Sequence, residues 1–229
     1  MFRLCTIGIL CSGLGTPMLH AADFASYRGL KFGMDLTAAA AQSGTKVADA
    51  RTAHQRPALI QELDWRPRPV VTLNSKDDAV SVDPVKEGLL SFYNGELFRI
   101  VVTYDRYRVE GMTAQDMIEG ISTAYGTPTK PAVEIPYHSN YGEVAIVLAR
   151  WEDPEYSYNL VRTGDRASFS LVLYSKRLDA LAQTAIVQAV RQEALDAPQR
   201  AIEKQKQRDD DESQLLEKAR STNKPNFQP

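Results

Sequence analysis

Cysteine is almost absent from this chain of 229 residues, and both copies, Cys5 and Cys11, sit near its start. The rest has no thiol for a disulfide, a zinc ligand or a thiolate nucleophile. Histidine is scarce too. Beyond His20 only His54 and His138 remain, with no His or Cys at ligand spacing, so neither a metal nor a cofactor is expected. No Gly-x-Ser-x-Gly elbow occurs and no Gly-Lys-Ser/Thr follows a glycine run, which removes the motif-level case for a hydrolase nucleophile or a phosphate loop. Charge of one sign does not dominate either. Lys and Arg number 27 against 29 Asp and Glu, so no broad basic face for nucleic acid is expected. Past the N-terminus no apolar run approaches the roughly 20 residues that span a bilayer.

What is present begins with an export signal. Arg3 gives a short positive start, Leu4 to Leu14 an apolar stretch, and Leu19-His20-Ala21-Ala22 a small-residue end. That order of regions predicts a cleaved signal peptide over 1–22, cut after Ala21 or Ala22. Cleavage removes both cysteines and leaves a net charge of about −3. Leu10 stands where a lipobox has a small residue before its cysteine, so Cys11 is not expected to carry a lipid. The expected location is periplasmic or secreted, without a membrane span after cleavage.

Two segments then look alike. Gly33-Met34-Asp35 opens an alanine-rich run that stops at Gly44. Gly111-Met112-Thr113 opens a run with Met117, Ile118, Ile121 and Tyr125 that stops at Gly126 before Pro128. Thr113 fits an N-cap with Asp116 as its capping-box partner, and Ile118, Ile121 and Tyr125 share one helical face. Strand patterns follow each helix: Leu59–Trp65, Val70–Leu73, Leu89–Tyr93 and Leu97–Tyr104 after the first, then Glu143–Trp151, Tyr156–Arg162 and Ser168–Ser175 after the second. Asn94-Gly95 marks a hairpin, because both residues tolerate positive φ. Phe98, Ile100, Val102 and Tyr104 are expected to share one face of their strand, and Thr163-Gly164-Asp165 to form a turn.

The fold class is therefore α+β. Two helix-plus-antiparallel-sheet halves, 23–108 and 109–178, are expected to form a two-layer domain over 23–178. A long C-terminal helix and charged extension over 179–220 follow. Leu178, Leu181, Ala182, Ala185, Ile186, Ala189 and Val190 make its docking stripe, and Pro198 is expected to interrupt or kink it. Six basic and six acidic residues fill 199–220, the acidic run Asp209-Asp210-Asp211-Glu212 lacks calcium-loop spacing, and 221–229 is expected to be disordered.

Gly111-Met112-Thr113, the apolar helix face and Gly126-Thr127-Pro128 together resemble the repeat of the SmpA/OmlA family of outer-membrane assembly lipoproteins, and the related β-lactamase-inhibitor-protein-like modules. The resemblance implies helices paired with a small antiparallel sheet, and action by binding another protein rather than by catalysis. The sequence departs from it in having no lipobox, two copies and an added C-terminal helix. The whole chain otherwise resembles an uncharacterised exported bacterial protein.

Ten tyrosines and two tryptophans stand out in what remains. Tyr137, His138 and Tyr141 lie in a loop of small polar residues, with Trp151 and Tyr156 on neighbouring strands. Tyrosine offers large contact area at low entropic cost, so these five residues are the expected binding surface. The expected function is a non-enzymatic periplasmic protein-binding or envelope-assembly module, whose partner is another envelope or secreted protein. The alternative is a small periplasmic hydrolase or carbohydrate-active domain using His138 with Glu143 or Glu152.

Overall fold

The computed structural model describes residues 23–226 and 228, apart from 68–71, 74–79, 82, 138–143 and 164–167. The expected signal peptide over 1–22, His138, Tyr141, Val70 and the turn expected at Gly164-Asp165 lie outside these described residues.

A two-stranded hairpin opens the fold, β1 (Ser26–Tyr27) and β2 (Leu30–Lys31), followed by α1 (Leu36–Ser43). Asp35 caps α1 by accepting the Ala38 N–H at 2.8 Å. Gly44 ends it at φ 70°, while Thr45 N–H reaches back to the Ala40 carbonyl at 2.9 Å. A 3-10 turn over Val47–Asp49 leads to β3 (Arg51–His54) and β4 (Ile60–Trp65). The short pair β5 (Thr72–Leu73) and β6 (Val80–Ser81) precedes β7 (Val85–Tyr93) and β8 (Glu96–Tyr104). Asn94 and Gly95 link β7 to β8 at φ 49° and 88°, as the hairpin signal requires.

The second half also places one helix ahead of four strands of the main sheet. Its helix is α2 (Ala114–Tyr125), with the expected capping box. The Thr113 N–H donates to the Asp116 carboxylate at 2.7 Å, which holds that carboxyl below the usual range. Then come β9 (Glu134–Pro136), β10 (Val144–Glu152), β11 (Tyr156–Thr163) and β12 (Ser168–Ser175). Gly33 and Gly111, ahead of the two helices, share a positive φ of 84° and 79°, so the common glycine has a common backbone reason.

Eight strands form one antiparallel sheet in the order β3-β4-β7-β8-β12-β11-β10-β9. Each half enters at an edge and finishes at the centre, where β8 pairs with β12 (Leu171 opposite Val102). On the first face α1 and α2 cover an apolar core. Ala39 and Ala40 of α1 and Met117 and Ile118 of α2 join a cluster with Leu63, Leu90, Ile100, Val102, Leu160 and Leu171.

The second face is covered in part by α3 (Lys176–Asn223), which follows β12 directly. Leu178, Ala182 and Ile186 pack there on Ile60 and Phe98, so α3 adds a third layer to the two expected. Phe98 reaches this face through a β-bulge. The register steps from Phe92↔Leu97 to Ser91↔Arg99 and leaves Phe98 as the extra residue. The alternation expected through β8 is thereby corrected. Leu97, Ile100 and Val102 face α1 and α2, and Phe98 faces α3.

Two expectations for α3 also change. The helix continues through Pro198, because the carbonyl that loses its partner, that of Ala194, belongs to an exposed residue and is open to water. Helix also replaces the disorder expected from 221. It runs to Asn223, and a 3-10 turn follows over Lys224–Asn226. The Ser221 and Thr222 hydroxyls donate back to the Lys218 carbonyl in this last stretch.

One close contact in the sheet is testable. Trp65 lies directly opposite Gly88, and a Cβ at residue 88 would meet the indole Cε3 at 2.5 Å. Trp65 is buried in the core, so moving its ring aside would disturb its neighbours. Gly88→Ala is expected to cost about 1–3 kcal/mol by overpacking, read as a lower urea midpoint at unchanged m-value.

Candidate binding surfaces

The three described residues of the expected aromatic surface, Tyr137, Trp151 and Tyr156, do not lie together on one exposed face. Trp151 is 1% exposed and belongs to the core under α1 and α2. Its indole N–H donates to the Gly126 carbonyl at 2.9 Å, so the polar tip is satisfied inside and secures the end of α2. Tyr156 is half-buried against the same core, stacked on Phe32 at 5.4 Å. Tyr137 packs beneath the opposite sheet face with Val101, Val161 and Val172. Its hydroxyl lies 2.9 Å from Ser170 Oγ and 3.3 Å from Thr103 Oγ1. The sheet therefore stands between Tyr137 and the other two. His138 and Tyr141 lie outside the described residues.

Most other tyrosines serve the core as well. Tyr125 and Tyr158 meet edge-on at 4.9 Å, with Phe24 5.6 and 5.2 Å away. The Tyr158 hydroxyl donates to the Ser26 carbonyl at 2.7 Å. Burial pushes these phenols up, Tyr27 to about 12, with Tyr104 and Tyr158 in the same direction. They stay neutral at physiological pH and supply packing and hydrogen bonds rather than a base.

For the alternative hydrolytic site, His138 and Glu143 lie outside the described residues, and Glu152 is paired with Lys176 Nζ at 2.7 Å. The other histidine has a different setting. His54 Nδ1 lies 3.0 Å from Glu193 Oε1, joining the end of β3 to α3 beside a cavity of about 330 Å³. Arg56, Asp196 and Arg200 form a chain of ion pairs in the same cavity, at 3.9 and 3.5 Å. These groups satisfy one another across the junction where the helix leaves the sheet, and so brace that junction.

A second concavity of about 300 Å³ lies on the second sheet face, over β4, β7 and β8. Glu62 and Asp64 line it, pointing away from the core that takes Leu63 and Trp65. Sequence reasoning missed it. The available signal was the alternation of Glu62, Leu63, Asp64 and Trp65, which puts two carboxylates on one strand face.

The third feature is the far part of α3. At about 1.5 Å per residue its 48 residues extend some 70 Å. The last buried residue is Ala189, and every described residue from 197 to 226 is exposed. Leu195, Ile202 and Leu216 are 72%, 64% and 64% exposed. They fall at multiples of seven and so lie along one stripe. Within the arm, bonds such as Gln205 Nε2 to Asp209 Oδ1 at 2.7 Å span successive turns.

Among the described residues no group of three or more His, Cys, Asp or Glu is placed to hold a metal ion, and no helix is long and apolar enough to cross a membrane. No family model, curated protein or solved structure matches the chain.

Proposed function

We propose that this chain is a non-enzymatic binding module of the cell envelope, exported by its N-terminal signal, and that the arm of α3 beyond residue 190 engages another envelope or secreted protein. The observation that carries this reading is the arm itself. A helix that spends its first turns locked to a sheet and then runs on exposed, with Leu195, Ile202 and Leu216 in one stripe, has the anchors by which amphipathic helices enter a groove or pair with another helix. The likeness of Gly111–Pro128 to protein-binding envelope modules supports the same reading. So does the matching order of helix and four strands in the two halves, which we take as a degenerate duplication.

A chain ending at Ala197 tests it. The described residues removed are all exposed, and Arg200 among them contributes only the outer, exposed ion pair to Asp196, so the urea midpoint is expected to stay close to that of the full chain. A partner that co-purifies with the full chain from a periplasmic extract is expected to be lost. Retention of that partner by the shortened chain would place binding elsewhere.

A further inference from the structure

We infer that the cleft over β4, β7 and β8 binds an ammonium or guanidinium group carried on an aliphatic stem. The case begins with Glu62. Its side chain is 9% exposed, and its Oε1 has no hydrogen-bond partner among the described residues. Its other oxygen lies 3.8 Å from Arg51 Nη2, a loose contact, and that guanidinium is shared with Asp64 at 3.3 Å. A buried carboxylate oxygen without a donor loses its hydration and gains nothing in return, so such an atom calls for an explanation. A cationic donor entering the cleft supplies one.

The rest of the lining fits the same ligand. Asp64 stands opposite Leu89, Leu89 opposite Val101, and Glu87 opposite Thr103. Leu89 and Val101 thus give an apolar floor one and two strands over from Glu62 and Asp64. A stem of three or four methylenes can lie on that floor while its charged head meets Glu62 and Asp64. Of the three carboxylates lining the cleft, Glu87 is paired with Lys86 Nζ at 3.2 Å, while Glu62 and Asp64 share the single guanidinium of Arg51, so the unmet negative charge sits at Glu62. An anion would face Glu62 without compensation, so the sign of the preferred ligand is positive. A free amine and a Lys or Arg side chain of a peptide share this chemistry. The inference uses the body of the protein and not the arm, so it stands or falls separately from the proposed function.

Titration of the ¹⁵N-labelled full chain with three probes decides it: n-butylamine, the peptide Ala-Lys-Ala with blocked termini, and the same peptide with Glu for Lys. Saturable amide shifts centred on Leu89, Val101 and Thr103 are expected with the two cations and none with the Glu peptide. Tighter binding of the Lys peptide than of butylamine identifies a protein side chain as the source, and equal binding identifies a free amine. Glu62→Gln keeps the shape of the side chain and is expected to weaken binding about tenfold or more. Asp64→Asn, at an exposed position, is expected to weaken it less, and gives a second readout should Glu62→Gln disturb the sheet. A cleft that holds only water shows no saturable shift with any probe. That result would overturn the inference, as would cation binding unchanged in both variants.

Discussion

Arg99→Ala is expected to cost about 3–5 kcal/mol of stability at neutral pH and to release the first turns of α3 from the sheet. Arg99 is 1% exposed and holds three elements together. Its Nε and Nη2 donate to Asp179 Oδ1 of α3 at 2.9 and 2.6 Å. Its Nη1 donates to the Pro136 carbonyl of β9, and its guanidinium lies 5.4 Å from the ring centre of Tyr174 on β12. Removal leaves the Asp179 carboxylate buried without its cation.

The pH dependence follows from the same geometry. Burial already pushes the Asp179 carboxyl up, and Arg99 pulls it down. Without Arg99 it moves further up. A carboxyl raised above its unfolded value adds stability that is fully present below the unfolded value and is lost as pH rises through the folded one. The penalty of Arg99→Ala is therefore expected to be largest near neutrality and to shrink as pH falls. Urea unfolding at two pH values reads this, and amide exchange at Leu178 to Ile186 reports the loosened helix. The pair Arg99→Met with Asp179→Leu is expected to recover most of the loss, since hydrophobic replacement of a buried ion pair is often neutral. A loss below about 1 kcal/mol in the single variant would show that the pair is not what docks α3.

Trp151→Ala is expected to lose about 3–5 kcal/mol, a fall of the order of 10 °C in Tm for a domain of this size. The indole fills the core between α2 and the sheet and ties down the Gly126 carbonyl. Trp151→Phe keeps most of the volume and gives up the hydrogen bond, so a smaller loss is expected, near 1–3 kcal/mol with the orphaned carbonyl included. Differential scanning calorimetry separates this from a role in display. A Trp151 that served a partner would leave Tm unchanged on substitution and change only binding.

These two residues mark where sequence pattern carries information and where it does not. Caps, stops and tight turns were legible because their chemistry is local. Asp35, Thr113 with Asp116, and Asn94-Gly95 each act within a few residues, and each takes the conformation its neighbours imply. Most strands were legible for the same reason, through alternation. The edge strands β3 and β9 are short and carry little pattern, and neither was foreseen. Phe98 broke the alternation because one inserted residue in β8 changes the face of everything before it.

The candidate sites were less legible, since direction and partner are tertiary facts. An amphipathic ring such as Trp151 or Tyr158 suits a surface or a core, and a carbonyl at the right place decided for the core. Arg99 and Asp179 are distant in the chain and meet only because α3 folds back over β8. Glu62 looked like one polar position among many until the sheet placed an apolar floor beside it. Pro198 was misleading in the other direction, because a proline whose freed carbonyl faces water interrupts a helix less than composition suggests.

The proposed function requires that α3 divide into a docked segment and an arm that meets a partner. Photo-crosslinking in intact cells tests that division directly. A photoreactive side chain is placed at Ile202 on the arm's apolar stripe and, as a control, at Tyr107, an equally exposed position on the body. A discrete adduct from position 202 and none from 107 is the expected result. Equal adducts from both positions, or none from 202, would contradict the assignment of the arm as the binding element.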